Sequence, residues 1–193
     1  MWINPGKLSN ETLRLEPMKM SHAEGLSSAS ELENYQYWQT LVPKGESLED
    51  FKIFMEKLLA LPNCLPMVMI DPSSDEVIGM SCFMDIREIA KGLEIGMTWI
   101  RGDKRGTIIN PSAKILMLEY AFETAKAIRV QLKTDERNIH SQNAIKKLGG
   151  KYEGTLRHHG IQPNGYIRNT VMFSILAEEW PEVKAKLQAR ISS

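Results

Sequence analysis

The chain has 193 residues, of which 42% are hydrophobic, enough for one domain whose core needs no disulfide or metal to hold it together. Its 24 basic residues balance its 24 acidic residues, and this zero net charge argues against a protein dedicated to nucleic acid or to anionic membranes. We therefore expect a single domain over residues 1–193, with neither nucleic acid nor a membrane as partner.

The two cysteines and the N-terminal residues bear on the cellular compartment. Cys64 and Cys82 have apolar neighbours and lack the short spacing of metal ligands, so we expect two buried free thiols and no bound metal. The first residues lack the basic region and apolar run of a secretion signal, and no stretch approaches the roughly 20 apolar residues of a membrane span. These features favour a reducing, cytoplasmic location.

The N-terminal third of the chain predicts one strand and one well-defined helix. Alternating residues over Thr12–Pro17 indicate a strand, and residues 18–38 suggest short helical pieces broken by a glycine and a serine cluster. The tetrapeptide Ser47-Leu48-Glu49-Asp50 resembles a capping box and is followed by an apolar stripe. It predicts a helix that ends near Ala60.

A β-meander is predicted next. Residues 67–70 and 77–84 are apolar segments that flank a polar turn at 71–76, which is the pattern of a β-hairpin. In residues 93–100 apolar and polar positions alternate, so this segment predicts a third antiparallel strand.

A strand–loop–helix–strand unit follows the meander. Residues 101–109 form a polar loop, and Asn110-Pro111 combines a helix N-cap residue with proline at the first helical position. An apolar stripe continues this helix, and residues 128–134 alternate as the next strand. The unit predicts a crossover that brings two strands parallel to each other.

The C-terminal part predicts one further capped helix, two strands and a closing helix. Asn138 is the expected N-cap, and Gly149 stands where a left-handed residue ends a helix. Strands are expected near residues 152–157 and 166–176, with a last helix from Glu178 onward. The predicted fold class is mixed α/β (α+β), with a largely antiparallel sheet around one βαβ crossover.

The loop before the predicted Asn110 helix is a candidate anion site. Gly106 lies beside Lys104 and Arg105, so backbone N–H groups, the helix dipole and cations could converge on one phosphate. An ordinary loop connection has the same pattern. The full P-loop pattern is absent, which argues against an ATPase or GTPase.

The same loop resembles the acetyl-CoA pyrophosphate loop of GNAT N-acetyltransferases, in the branch similar to the ribosomal-protein acetyltransferases RimJ and RimL. The motifs that carry this likeness are Trp99-Ile100, Arg105-Gly106-Thr107, Asn110, Ala113-Lys114, the Asn-x-x-Ser segment 134–141, the lysine-leucine-glycine ending of 144–149, Glu153 to Arg157, and Phe173 to Ile175. The resemblance covers roughly Leu13 to Leu187. It implies the GNAT acyl-CoA N-acyltransferase fold, a twisted, mostly antiparallel sheet with one parallel, splayed strand pair and flanking helices.

The resemblance implies acetyl-CoA as cosubstrate. Its pyrophosphate would lie on a helix N-terminus, its pantetheine arm would pair with a splayed strand, and N–H groups around Gly96 to Thr98 would face the thioester. The residues expected to bind it are Thr98, Trp99, Ile100, Arg105, Gly106, Thr107, Ile108, Ile109, Asn110, Asn138, Ser141 and Lys147. Ile108 departs from the family, which usually has glycine or alanine there, and its side chain would crowd the phosphates.

The catalytic candidates are one carboxylate, two histidines and one serine. Glu94, in a half-buried strand, is a candidate base for removing a proton from the amine, although a solvent-facing or ion-paired strand residue would look the same. His158 and His159 belong to the residue type most often used for proton transfer, and they are either substrate-side groups or loop residues. Because the chain has Ile145 where many GNAT enzymes have an acid tyrosine, the resemblance assigns that role to Ser141, which could equally serve only in helix N-terminal hydrogen bonding.

We therefore predict an N-acetyltransferase that moves acetyl from acetyl-CoA to a primary amine, on a small molecule or a protein N-terminus. One alternative is a non-catalytic acyl-CoA-binding relative, favoured by Ile108 and the missing tyrosine; another is a small α/β interaction module without a cofactor. The aromatic residues Tyr35, Tyr37 and Trp38 line an acceptor groove or belong to the core. The chain is expected to be a monomer or a homodimer.

Overall fold

The computed structural model describes residues 2–39 and 41–192; the predicted domain, 1–193, also includes three residues outside these ranges. A single sheet contains all the strands of the described part. They are β1 (Leu8–Ser9), β2 (Arg14–Pro17), β3 (Leu65–Ile70), β4 (Val77–Arg87), β5 (Gly92–Ile100), β6 (Arg129–Asp135), β7 (Lys151–Ile161) and β8 (Ile167–Leu176).

Helices cover both faces of this sheet. They are α1 (Ala23–Ala29), α2 (Leu48–Leu59), α3 (Ile109–Glu119), α4 (Ile139–Leu148) and α5 (Trp180–Ser192). Short 3-10 turns lie at Met20–His22, Leu32–Tyr35, Gly102–Lys104 and Ala177–Glu179, and α3 runs on into a π-helical turn at Tyr120–Thr124. The broken helical character expected for residues 18–38 is confirmed.

The strand order is β1-β2-β3-β4-β5-β6-β8-β7. Every neighbouring pair is antiparallel except β5 and β6, which are joined through α3 and run parallel. The predicted fold class, a mostly antiparallel sheet around one crossover with flanking helices, is therefore confirmed.

Local capping signals fix the ends of two helices as predicted. The Ser47 hydroxyl accepts a hydrogen bond from the Asp50 N–H at the start of α2, and Ala60 is the C-cap of this helix. The Asn138 side chain accepts one from the Ser141 N–H at the start of α4, over 2.9 Å. Gly149 ends α4 with φ of +100°, a conformation that glycine adopts without the penalty of a Cβ.

The start of α3 differs from the prediction. Its N-cap is Ile108, not Asn110, and Asn110 and Pro111 lie inside the first turn. The reason is the neighbouring Thr107, whose hydroxyl accepts a hydrogen bond from the Ile109 N–H over 3.3 Å and so starts the helix two residues earlier. Pro111 is tolerated there because first-turn N–H groups have no partner within the helix.

Two apolar clusters lie on opposite faces of the sheet. One contains buried residues of α3, α4 and α5 and side chains such as Leu93 and Ile95 of β5; the other contains residues of α1 and α2 with Trp99. Cys64 and Cys82 are buried and free in the second cluster, as predicted. The sheet is thus covered on both sides, and its backbone is accessible where neighbouring strands separate.

Within residues 2–39 and 41–192, no helix has both the length and the apolar character needed to cross a bilayer. No group of three or more His, Cys, Asp or Glu side chains in those ranges is arranged to hold a metal ion.

Candidate active site

The parallel pair β5 and β6 separates soon after it begins. Its ladder joins Gly92–Glu94 to Arg129–Gln131 and stops there, while β5 continues against β4 and β6 continues against β8. The carboxyl ends of parallel strands lie at the same edge of a sheet, so α3 and α4 both begin beside the resulting cleft. The predicted splayed pair is confirmed, and its cleft has a helix N-terminus on each side.

The connection from β5 to α3 is suited to a negatively charged group. Gly106 has φ of +75° and an open space where a Cβ would project, and it leads into the N-terminus of α3. In the first turn, Asn110 Oδ1 and Ser112 Oγ are buried and have no hydrogen-bond partner among the described residues. This turn therefore keeps hydrogen-bonding capacity that the described protein atoms do not use.

Three of the residues predicted to bind the cofactor, Arg105, Ile108 and Lys147, have side chains in three different settings. The Arg105 guanidinium donates hydrogen bonds to Glu31 Oε2 over 2.6 Å and to Asn34 Oδ1, so it ties the loop to the Leu32–Tyr35 turn. Ile108 is 40% exposed. Lys147 is exposed in the last turn of α4, far along that helix from its N-terminus.

The middle of β5 contains a β-bulge. In the β4–β5 ladder, two residues of β5, Met97 and Thr98, face the single residue Ser81 of β4. Met97 has φ of +48°, which is rare for a residue with a long side chain and stores backbone strain. The bulge lies just beyond the last parallel pair, so it changes the direction of N–H groups at the cleft.

A buried lysine lies beneath this bulge. Lys114 of α3 is only 4% exposed, and its Nζ donates hydrogen bonds to Thr98 Oγ1 over 2.6 Å and to Ser81 Oγ over 3.2 Å. Burial lowers the pKa of Lys114 to about 7, against the smaller opposite effects of Cys82 and Glu94. In the sequence, Lys114 stands out only as the one charged residue in the apolar segment from Ile109 to Leu118.

Glu94 lies at the point where the two parallel strands part. It is 2% exposed, its Oε2 is 2.8 Å from Lys133 Nζ, and it accepts a hydrogen bond from Gln131 Nε2. Leu93 and Ile95 point into the α3–α5 cluster, so alternation along the strand turns Glu94 to the other face. The carboxylate is therefore a buried, ion-paired group at the cleft, and not a solvent-facing strand residue.

The remaining catalytic candidates lie in two different places. Ser141 is half-buried in the first turn of α4, where its N–H binds Asn138, so it shares the cleft edge with α3. His158 and His159 are exposed on β7, and β6 and β8 lie between that strand and β5. The structure thus places Glu94 on a strand of the cleft and Ser141 on a helix that begins beside it, whereas the two histidines lie on the edge strand.

A polar cluster around Asp135 lies at the C-terminal end of β6. Asp135 is 0% exposed and accepts two hydrogen bonds from the Arg137 guanidinium, over 2.8 and 2.9 Å, while Arg168 Nε lies 4.0 Å away. Burial opposes ionisation, but the hydrogen bonds from Arg137 and the charge of Arg168 hold the pKa of Asp135 below its ordinary value. Gln162 joins Arg137 to the backbone carbonyl of Gln36.

This cluster supports one wall of a cavity of about 220 Å³ between the Leu32–Tyr35 turn and the β7–β8 turn. Leu32, Tyr35 and Trp38 line it on one side and Gln162 and Asn164 on the other. Tyr35 is also buried in the core, where its ring contacts Trp38 edge-on, so it both packs in the core and lines this cavity.

Comparisons with known proteins agree with this geometry. A family model described as an acetyltransferase (GNAT) domain matches residues 12–151. The crystal structure of a candidate acetyltransferase is 34% identical, with a TM-score of 0.92 over 99% of this chain and 96% of that one. A candidate acetyltransferase from T. thermophilus is also 34% identical, with a TM-score of 0.91 over 99% of this chain and 100% of that one.

A more distant solved structure shares the fold. RimJ of Mycobacterium smegmatis, in complex with CoA-disulfide, is 19% identical, with a TM-score of 0.77 over 95% of this chain and 92% of that one. The comparison with curated proteins gave no match. The family model covers well over half of the chain, and the chain belongs to the GNAT acetyltransferase family.

Proposed function

We propose that the protein transfers acetyl from acetyl-CoA to a primary amine, within one domain that resembles RimJ and RimL. The observation that carries the proposal is the cleft between β5 and β6, flanked by the N-termini of α3 and α4. The unpaired backbone of β5 would bind the pantetheine amides as an added strand does, and the first turn of α3 would bind the pyrophosphate. RimJ, which shares this fold, binds a CoA derivative.

The reaction requires no covalent enzyme intermediate. The neutral amine nitrogen attacks the thioester carbon, the carbonyl oxygen becomes negative, and the C–S bond then breaks to give the amide and the CoA thiolate. N–H groups at the β5 bulge would stabilise the negative oxygen. Ser141, at the start of α4, would donate a proton or a hydrogen bond to the departing thiolate.

Glu94 is the proposed group that accepts the amine proton, directly or through water. It is the buried carboxylate at the point where β5 and β6 separate, and its Oε2 lies 2.8 Å from Lys133 Nζ. The proposed acceptor entrance is the cavity beside the Leu32–Tyr35 turn, whose mixed apolar and amide lining suits an amine on an organic or peptide chain.

We expect CoA to raise the melting temperature of the protein. A ligand that binds only the folded state, at about 100 times its Kd, stabilises by about 2.7 kcal/mol, or about 5 to 10 °C for a domain of this size. The Gly106→Val variant should lose most of this shift, because valine does not fit φ of +75° in the phosphate loop.

The matched control is Gly6→Val, at φ of +60° with equally open space but remote from the cleft in the sheet order. It should keep the full CoA shift. No shift for the unmodified protein would contradict the proposal. A shift without thiol release from acetyl-CoA, over a panel of amino acids, polyamines and peptide N-termini, would instead identify a non-catalytic binder.

Replacement of Glu94 by glutamine should lower kcat by about 100-fold, since loss of a general base typically has at least this effect. The measurement is thiol release with the best amine of the panel, at saturating acetyl-CoA. The exposed Glu56→Gln variant on α2 is the control for a change of one charge. Unchanged kcat for Glu94→Gln would remove Glu94 from the mechanism and leave water or another group as the base.

A further inference from the structure

The buried group that the proposed reaction leaves without a role is Lys114. Its Nζ lies 2.6 Å from Thr98 Oγ1 and 3.2 Å from Ser81 Oγ, and these two hydroxyls are 2.8 Å apart. No carboxylate lies within ion-pair distance of it among residues 2–39 and 41–192. A lysine buried without a counter-ion is costly to the fold, so its retention calls for a function.

Both hydroxyls also lie within hydrogen-bond distance of one backbone carbonyl. Ser81 Oγ lies 3.3 Å and Thr98 Oγ1 lies 3.4 Å from the Gly96 oxygen, and both can donate to it. In its ammonium form, Lys114 has three donors and no acceptor, so it can only donate and turns the hydroxyl protons toward that oxygen. The lysine therefore sets the direction in which hydrogen bonds are donated through Ser81 and Thr98.

This carbonyl belongs to the peptide group between Gly96 and Met97, which is the peptide group just before the bulge. In a trans peptide the C=O of one residue and the N–H of the next point in opposite directions, so fixing the Gly96 oxygen fixes the Met97 N–H on the opposite side. Met97 has φ of +48°, a conformation that persists only where neighbouring groups impose it. Ser81 and Thr98, both hydrogen-bonded to Lys114, contact the carbonyl of the residue before it.

We propose that the ammonium group of Lys114 is a positioning group for acetyl transfer, acting through Ser81 and Thr98 to aim the Met97 N–H at the thioester carbonyl oxygen. The inference rests on the proposed function, because it needs acetyl-CoA in the cleft. Lys114 itself touches neither substrate. Its charge also polarises the hydroxyls and the Gly96–Met97 peptide, which strengthens the donor where water is excluded.

The protonation state of Lys114 gives a readout that a purely structural residue would lack. Its pKa is lowered to about 7, first by burial, and the neighbouring groups that act on its charge are Cys82 of β4 and Glu94 of β5, with Cys64 hydrogen-bonded to Cys82. The ammonium form therefore declines as the pH rises above neutrality. Donation from the Met97 N–H should weaken over the same range.

The test is isotope-edited infrared spectroscopy of acetyl-CoA labelled with ¹³C at the carbonyl, with calorimetry to measure its binding. In the unmodified protein, we expect the bound thioester band to shift to lower frequency, and this shift to decline as the pH rises from about 6 to about 9. The Lys114→Met variant should bind acetyl-CoA with unchanged affinity but lose most of the shift at every pH. Its kcat should fall about 10- to 100-fold.

Three further variants keep the test decisive. Thr98→Val removes one of the two hydroxyls that join Lys114 to the Gly96 carbonyl and should lose part of the band shift. Thr98→Ser keeps the hydroxyl and should retain the shift. This pair tests the proposal even if the Lys114→Met variant does not fold. Lys186→Met, an exposed lysine paired with Glu182 on α5, is the control and should behave as the unmodified protein.

The outcomes separate the two proposals. Failure of the unmodified protein to bind acetyl-CoA would overturn the proposed function, and this inference with it. Normal binding with an unchanged band in Lys114→Met and Thr98→Val, or a band shift that does not vary with pH, would overturn the role of Lys114 alone.

Discussion

Replacement of Asp135 by asparagine is expected to lower the free energy of unfolding by about 3–5 kcal/mol, the usual effect of removing one partner from a buried ion pair. Asp135 is fully buried, and its carboxylate is the charge that balances Arg168, itself only 5% exposed. Asparagine has the same shape but no charge, so Arg168 would remain buried without a counter-ion. Urea unfolding at neutral pH measures the change.

The pKa of Asp135 adds a pH dependence to this prediction. Because the folded-state pKa lies below the unfolded value, the stabilisation is present above the unfolded pKa and is lost as the pH falls through the folded pKa. The difference in the free energy of unfolding between the unmodified protein and Asp135→Asn should therefore become smaller in acid. Asp103→Asn, at an exposed pair with Arg101, is the control and should change stability little. An equally small effect of Asp135→Asn would show that the cluster does not stabilise the fold.

The Lys114→Met variant is expected to be at least as stable as the unmodified protein at neutral pH. The substitution removes a buried amine that has no carboxylate partner, and Ser81 and Thr98 can still hydrogen-bond each other over 2.8 Å. A gain in stability together with a loss of activity would be the sign of a group retained for function.

The stability difference should also depend on pH in a known direction. A lysine in the unfolded chain titrates near ~10.4, so between about pH 7 and that value the unfolded chain binds one more proton than the folded one. The unmodified protein should therefore gain about 2 kcal/mol relative to Lys114→Met as the pH rises from about 7 to about 9. Denaturant unfolding of both proteins at several pH values measures this gain. A constant difference would show that Lys114 titrates as an exposed lysine does.

Much of the framework that holds the site was predictable from short-range signals. The Ser47 cap, the Asn138 cap and Gly149 each act on residues at most four positions away, and the structure has all three where the sequence places them. The parallel crossover also followed from the order of strand, loop, helix and strand. The start of α3 was predicted incorrectly because Asn110 and Thr107 compete for the cap, and sequence pattern alone does not show which side chain reaches the free N–H.

The chemistry of the cleft depended on contacts between distant parts of the chain. Glu94 could be singled out as an unusual acid in a strand, but its pairing with Lys133 requires β5 and β6 to be adjacent. His158 and His159 follow a promising segment, yet the strand order places them at the edge, with two strands between them and β5.

By itself, the sequence determined the class of fold, the principal helices and strands of the meander and crossover, and a family resemblance, because periodicity, caps and turns are properties of neighbouring residues. Only the tertiary structure decided the bulge at Met97, the burial of Lys114 against Ser81 and Thr98, and the closed cluster around Asp135. Lys114 is 16 residues from Thr98 and 33 from Ser81. Their contact, and the lowered lysine pKa that follows from it, exist only once α3 packs on the sheet and excludes water.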